Sequence, residues 1–77
     1  MPRHSEALWV RYLLSRALYR MKQPELSDLL PHAGFEARGR DLYIAIPDAH
    51  DTRLNSVFST AVLNSGLPFD SAVLFPE

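Results

Sequence analysis

Leu42, Ile44 and Ile46 alternate with Tyr43 and Ala45 immediately before Pro47, and a helical stripe follows at once. The alternation is the period-two pattern of a strand with one buried face. Pro47 stops that strand, because it has no N–H to give to a ladder. Asp48 is a good N-cap, and Asp51 adds a second carboxylate to the first turn, near the positive end of the helix dipole. Leu54, Val57, Phe58, Ala61 and Val62 then recur at i, i+3, i+4, i+7 and i+8, and Gly66 supplies a C-terminal stop. A strand running straight into an amphipathic helix dictates a helix layer on a sheet layer.

The flanking segments complete the layout. Residues 1–5 read as a frayed, disordered terminus, and a helix runs from Glu6 to about Met21 with Ser5 as its cap. Val10, Leu13, Leu14, Ala17, Leu18 and Met21 form its core stripe, with Trp9, Tyr12 and Tyr19 near the edges of that stripe. Arg11, Ser15 and Lys22 lie opposite it, with Arg16 and Arg20 towards one flank. Pro24–Pro31 predicts a second, short helix with Leu26, Leu29 and Leu30 facing inward. Phe35–Arg38 predicts a short strand with Phe35 and Ala37 on the core side, turning at Gly39-Arg40 into the strand Leu42–Ile46. After a loop at residues 67–70, Ser71–Phe75 makes the last strand, which Pro76 blocks from extending. The order is α-α-β-β-α-β. A right-handed crossover through the third helix returns the last strand to the same sheet, with all helices on one face. The expectation is one two-layer α+β domain over residues 6–77 with a three-stranded sheet.

A chain of 77 residues has room for one modest core. A domain this small buries about 60% of its unfolded surface and is stable by a few kcal/mol. That disfavours a deep catalytic cleft and favours work done on the surface. The chain has no cysteine, so neither a disulfide framework nor a zinc finger braces it. No apolar run approaches the roughly 20 residues that span a bilayer, and the polar start resembles no signal peptide. A cytoplasmic location without membrane association is expected. The net charge of −1 hides an asymmetry: residues 1–22 carry five basic side chains against Glu6, whereas residues 23–77 carry three against eight acidic ones. Such a dipolar distribution steers a partner or aligns protomers; equally, it is a basic helix face left in solvent.

Catalytic chemistry finds no foothold. His4, His32 and His50 show no metal-ligand spacing. His50-Asp51 matches only half of the metal-binding pair of HD phosphohydrolases, and a helix N-terminal turn explains it. There is no Gly-x-Ser-x-Gly, no cysteine nucleophile and no phosphate-cradling glycine loop. Asp48 and Asp51 serve the helix dipole better than acid–base work. Neither an enzyme nor a cofactor or metal is expected.

Binding fits the residues better. Trp9 is the single tryptophan, beside Tyr12 and Arg16, and these residue types are enriched among interface anchors. In so small a core Trp9 could instead close the end of the helix stack. Arg11, Arg16, Arg20 and Lys22 could also line a phosphate track, with Tyr12 or Tyr19 offered for base stacking. The pI of about 6.3 argues against strong nucleic-acid binding and leaves weak single-stranded DNA binding as the alternative.

The element order and three short motifs resemble the N-terminal domain, domain I, of the bacterial replication initiator DnaA, a KH-like fold. Leu8-Trp9 matches the Leu-Trp that opens that family's first helix. Glu25-Leu26-Ser27 matches a Glu-Phe-Ser-like step at the second, and Ile46-Pro47-Asp48 matches the strand end before the third. The C-terminal modules of the clamp-loader tau subunit and the KH-like domain of the helicase-loading partner DciA are similar at this level. The resemblance implies a module of the DNA-replication machinery that recruits a helicase, an initiator or a regulator. It implies self-association through Trp9 and contact with a helicase or regulator through Glu25; the expected faces are then a homodimer or partner face at Trp9 with Tyr12 and a second, polar face at Glu25, Asp28 and His50. His50 stands where the family has an aromatic, and Leu29 where a second tryptophan is common. The Gly-x-x-Gly clamp of nucleic-acid-binding KH domains is absent. A stand-alone phage or plasmid regulator mimicking such a domain would fit the same length.

Overall fold

The structure, a computed structural model, describes residues 2–46 and 53–76, with residues 2–7 described by their main chain only. Helix α1 spans Pro2–Arg20, a 3-10 helix spans Pro24–His32, and strands β1 (Gly34–Arg38) and β2 (Asp41–Ile46) follow. Helix α2 (Arg53–Ser65) and strand β3 (Ser71–Pro76) complete the order. This is the α+β layout read from the sequence: one three-stranded sheet with helices packed on one face.

Strand β2 is central. It pairs antiparallel with β1, Phe35 opposite Ile44 and Ala37 opposite Leu42, and parallel with β3, Ile44 opposite Leu74. The alternation in β2 sorts its side chains as expected: Leu42, Ile44 and Ile46 are buried, while Asp41, Tyr43 and Ala45 lie on the other face. Ala72 and Leu74 of β3 join the buried layer. Leu14, Ala17 and Leu18 of α1, Leu30 of the 3-10 helix, and Phe58, Ala61 and Val62 of α2 close over it. Val10, Met21, Leu26, Leu29, Phe35, Leu54 and Val57 pack around the margin.

Three details differ from expectation. Helix α1 begins at Pro2 rather than Glu6; proline suits the first helical position, where its missing N–H costs nothing, and the apolar stripe marks only where burial starts. The second helix is 3-10 rather than α and runs through Pro31 to His32, which its tighter bonding allows. Ala37 faces the helix side of the sheet but is exposed, because β1 packs chiefly on β2 and is reached from the helices at Phe35, by Arg11 of α1. The proposed cap at Asp48 and the residues around His50 lie outside the described residues. At Gly39 (φ +59°) the two-residue turn takes the II′ form, with the positive φ at its first position.

The two sheet edges are treated differently. Ser59 Oγ accepts the Ala72 N–H at 3.0 Å and donates to the Ala72 carbonyl at 3.1 Å, and Asn55 Oδ1 accepts the Leu74 N–H at 2.7 Å. Four residues of helix rise about 6.0 Å and two of strand about 6.6 Å, so residues 55 and 59 run in step with residues 74 and 72. Helix α2 therefore closes the outer edge of β3 with side chains. No such cover meets β1 among the described residues.

Candidate partner-binding site

The outer face of α1 gathers the large side chains that the core leaves out. Trp9, Tyr12 and Tyr19 are 60%, 53% and 61% exposed, and Leu8 is exposed beside them. Helical geometry makes this a surface. Residues 8, 12, 15, 16 and 19 recur at three- and four-residue steps, opposite the buried Leu14, Ala17 and Leu18. Trp9 and Tyr12 lean together, with ring centroids 6.0 Å apart. The Arg16 guanidinium lies 5.7 Å from the Tyr12 ring centroid, within cation–π range. A shallow depression of about 390 Å³ opens between Tyr12, Ser15, Arg16, Tyr19 and Arg20. Trp9 does not fill the core.

The four cations proposed as a phosphate track do not form one. Arg11 turns the other way: its Nε donates to the Leu30 carbonyl at 2.9 Å, and its guanidinium lies 5.5 Å from the Phe35 ring centroid. It ties α1 to the 3-10 helix. Arg20 Nη2 donates to the Asn64 carbonyl at 2.8 Å, a cation at the carbonyl end of α2, where the helix dipole favours it. Lys22 is exposed and holds a left-handed conformation (φ 66°) just past the end of α1. Arg16 is left on the aromatic face without an ion pair among the described residues. The track reduces to Arg16 and Arg20, with Lys22 beyond the helix end.

Two of the three residues expected on a second, polar face are among the described residues. Glu25 and Asp28 are exposed on the 3-10 helix, three residues apart and so on the same side of it. His50, the third member, lies outside the described residues. His32 is exposed at the end of the 3-10 helix, and among the described residues no three His, Asp or Glu side chains come together. No described helix is long and apolar enough to cross a membrane.

The sequence reading missed an aromatic cluster on the open face of the sheet. Tyr43 of β2 and Phe75 of β3 face each other with ring centroids 6.4 Å apart. Arg38 of β1 lies 4.5 Å from the Tyr43 ring centroid and bonds Glu36 through Nε at 3.1 Å and Nη2 at 3.3 Å. That carboxylate raises the Arg38 pKa above its usual value. The signal was there: alternation with the buried Leu42, Ile44 and Leu74 puts Tyr43 and Phe75 on the opposite face.

Comparison with known protein families, curated proteins and solved structures finds no match to this chain.

Proposed function

We propose that this chain is a non-enzymatic recruitment module whose docking surface is the outer face of α1. One observation carries the reading: Trp9, Tyr12 and Tyr19 stand in solvent along one helix face beside Arg16. Exposing three large aromatics forgoes the burial that stabilises a small domain, and Trp, Tyr and Arg are the residues that dominate interface energetics. The surface works by self-association and by capture of a second protein. The setting we propose is the bacterial DNA-replication machinery, with a helicase, initiator or regulator as partner. That setting rests on the resemblance of Leu8-Trp9, Glu25-Leu26-Ser27 and Ile46-Pro47-Asp48 to the initiator domain.

The second reading is weak single-stranded nucleic-acid binding, favoured by the depression where Tyr12 and Tyr19 flank Arg16 and Arg20 without a carboxylate. Ionic strength separates the two. Phosphate contacts weaken steeply as salt rises, whereas an aromatic protein interface hardly responds. The deciding experiment is sedimentation equilibrium of the wild type and Trp9→Ala at low and physiological salt, with and without a short oligonucleotide. Loss of salt-insensitive self-association in a Trp9→Ala protein that still folds is the expected result. A variant that unfolds, or one that associates as before, ends the anchor reading.

A further inference from the structure

Strand β1 offers an unpaired edge whose charges are self-complementary. Arg38 and Asp41 flank the two-residue turn, so they form a hydrogen-bonded pair. Along an antiparallel ladder such pairs alternate with non-bonded ones, so the main-chain groups of Glu36 also point to β2 while those of Phe35 and Ala37 point outward. No hydrogen bond to these outward groups is formed among the described residues, whereas α2 closes the equivalent groups of β3. Gly34, Glu36, Ala37 and Arg38 are exposed. On the open face, Glu36 and Arg38 stand two residues apart with opposite charge.

Charge on an edge strand ordinarily blocks pairing. Opposite charges two residues apart block the symmetric antiparallel registers that set like against like and favour the one that sets each against its opposite. The outward groups must meet outward groups, so the two-fold axis passes through a residue that lies opposite itself; an axis at Phe35 sets Glu36 against Gly34 and leaves the charges unmatched. An axis at Glu36 sets carboxylate against carboxylate, and an axis at Arg38 sets guanidinium against guanidinium. An axis at Ala37 sets each Glu36 opposite the other chain's Arg38. We propose that two copies of this chain join β1 to β1 in that register, making one continuous six-stranded sheet with both helical layers on the same side.

The geometry suits the pairing. Ala37 meets its own counterpart as a bonded pair, and a side chain that small lets the two backbones approach. Glu36 and Arg38 fall at non-bonded positions, where facing Cα atoms are about 4.5 Å apart and side chains touch most closely. Arg38 uses Nε and Nη2 for its own Glu36, leaving the Nη1 donors for the second carboxylate. This surface is separate from the aromatic face of α1 and stands without it.

The test is charge reversal with complementation on the full chain. Sedimentation equilibrium would compare the wild type, Glu36→Arg, Arg38→Glu and an equimolar mixture of the two variants. Amide hydrogen exchange at Phe35 and Ala37 would be followed as concentration rises. Both side chains are more than half exposed, at 60% and 57%, so the variants keep the fold. We expect each variant alone to associate about tenfold or more weakly, because both cross-strand pairs become like-charged. The mixture should regain wild-type association, and the two amides should exchange more slowly in the associated wild type. Association equal in all samples would place any interface elsewhere and overturn the proposal. Fast, concentration-independent exchange at Phe35 and Ala37 in the wild type overturns it too, whatever the variants do.

Discussion

Asn55 in the first turns of α2 accepts the main-chain N–H of Leu74 at 2.7 Å, and Ser59 one turn later does the same for Ala72 at 3.0 Å. A helix thereby finishes the hydrogen bonding of an edge strand, a task a fourth strand would otherwise take. Replacing Asn55 by Leu keeps the bulk and strands a partly buried donor. We expect Asn55→Leu to cost about 1–3 kcal/mol of stability, the desolvation penalty of an orphaned N–H. Urea unfolding measures the loss, and faster amide exchange at Leu74 would locate it. Unchanged exchange there would show that water replaces the side chain without penalty.

Arg40 and Asp70 are joined twice, through paired side-chain bonds of 2.7 and 3.0 Å and through the Asp70 N–H to the Arg40 carbonyl at 2.7 Å. The link ties the β1–β2 turn to the loop entering β3. Arg40, bonding the carboxylate, holds the Asp70 pKa below its usual value. A depressed carboxylate stabilises the fold above its unfolded pKa, and that contribution fades as the pH falls through the lower folded value. The wild type should therefore melt above Asp70→Asn at neutral pH, and the two melting temperatures should converge once the pH falls below the carboxyl's lowered folded value. The pair is exposed, so the difference will be small. A gap that persists in acid would assign the effect to something other than this charge.

Lys22 occupies a position that chemistry would give to glycine. The Gln23 N–H bonds the Leu18 carbonyl at 2.8 Å and the Lys22 N–H bonds the Tyr19 carbonyl at 3.1 Å, the paired bonds of a Schellman helix end. Lys22 sits at its left-handed residue, with φ 66°. A side chain there costs about 1–2 kcal/mol, partly offset by the greater freedom glycine has when unfolded. Lys22→Gly should raise stability by about 0.5–1 kcal/mol in urea unfolding. A loss instead would mean that the lysine side chain contributes more than its backbone strain costs.

These particulars show why the fold was legible and the surface was not. The Leu42–Ile46 alternation and the Leu54–Val62 stripe each encode a buried face in local periodicity, and burial follows that periodicity in β2 and α2. Lys22 carried no such mark, because the end of α1 is set by a conformation the residue type does not advertise. Trp9 was ambiguous for a related reason. A large aromatic near the margin of a stripe can turn inward or outward, and which it does depends on whether another element arrives to cover it. The fates of Arg11 and Arg20 depended on carbonyls 19 and 44 residues away in sequence, at Leu30 and Asn64, which periodicity cannot supply.

Arg11 and Arg16 therefore make the sharpest contrast on α1. Both are basic, five residues apart, and both belong to the same run of cations in the sequence. Arg11 bonds the Leu30 carbonyl and lies against Phe35, so its removal strips a charged hydrogen bond and the packing of its stem. We expect Arg11→Ala to destabilise the fold by about 1.5–3 kcal/mol. Arg16 is exposed and touches only the outer face, so Arg16→Ala should stay within about 0.5 kcal/mol of wild type. Binding should divide the opposite way. Loss of Arg16 should weaken whatever docks on the aromatic face, and Arg11→Lys should alter stability rather than binding. Urea unfolding paired with sedimentation of the same variants reads both axes at once. If Arg11→Lys weakened docking while the fold stayed intact, the docking surface would extend around the helix to the face that holds Leu30.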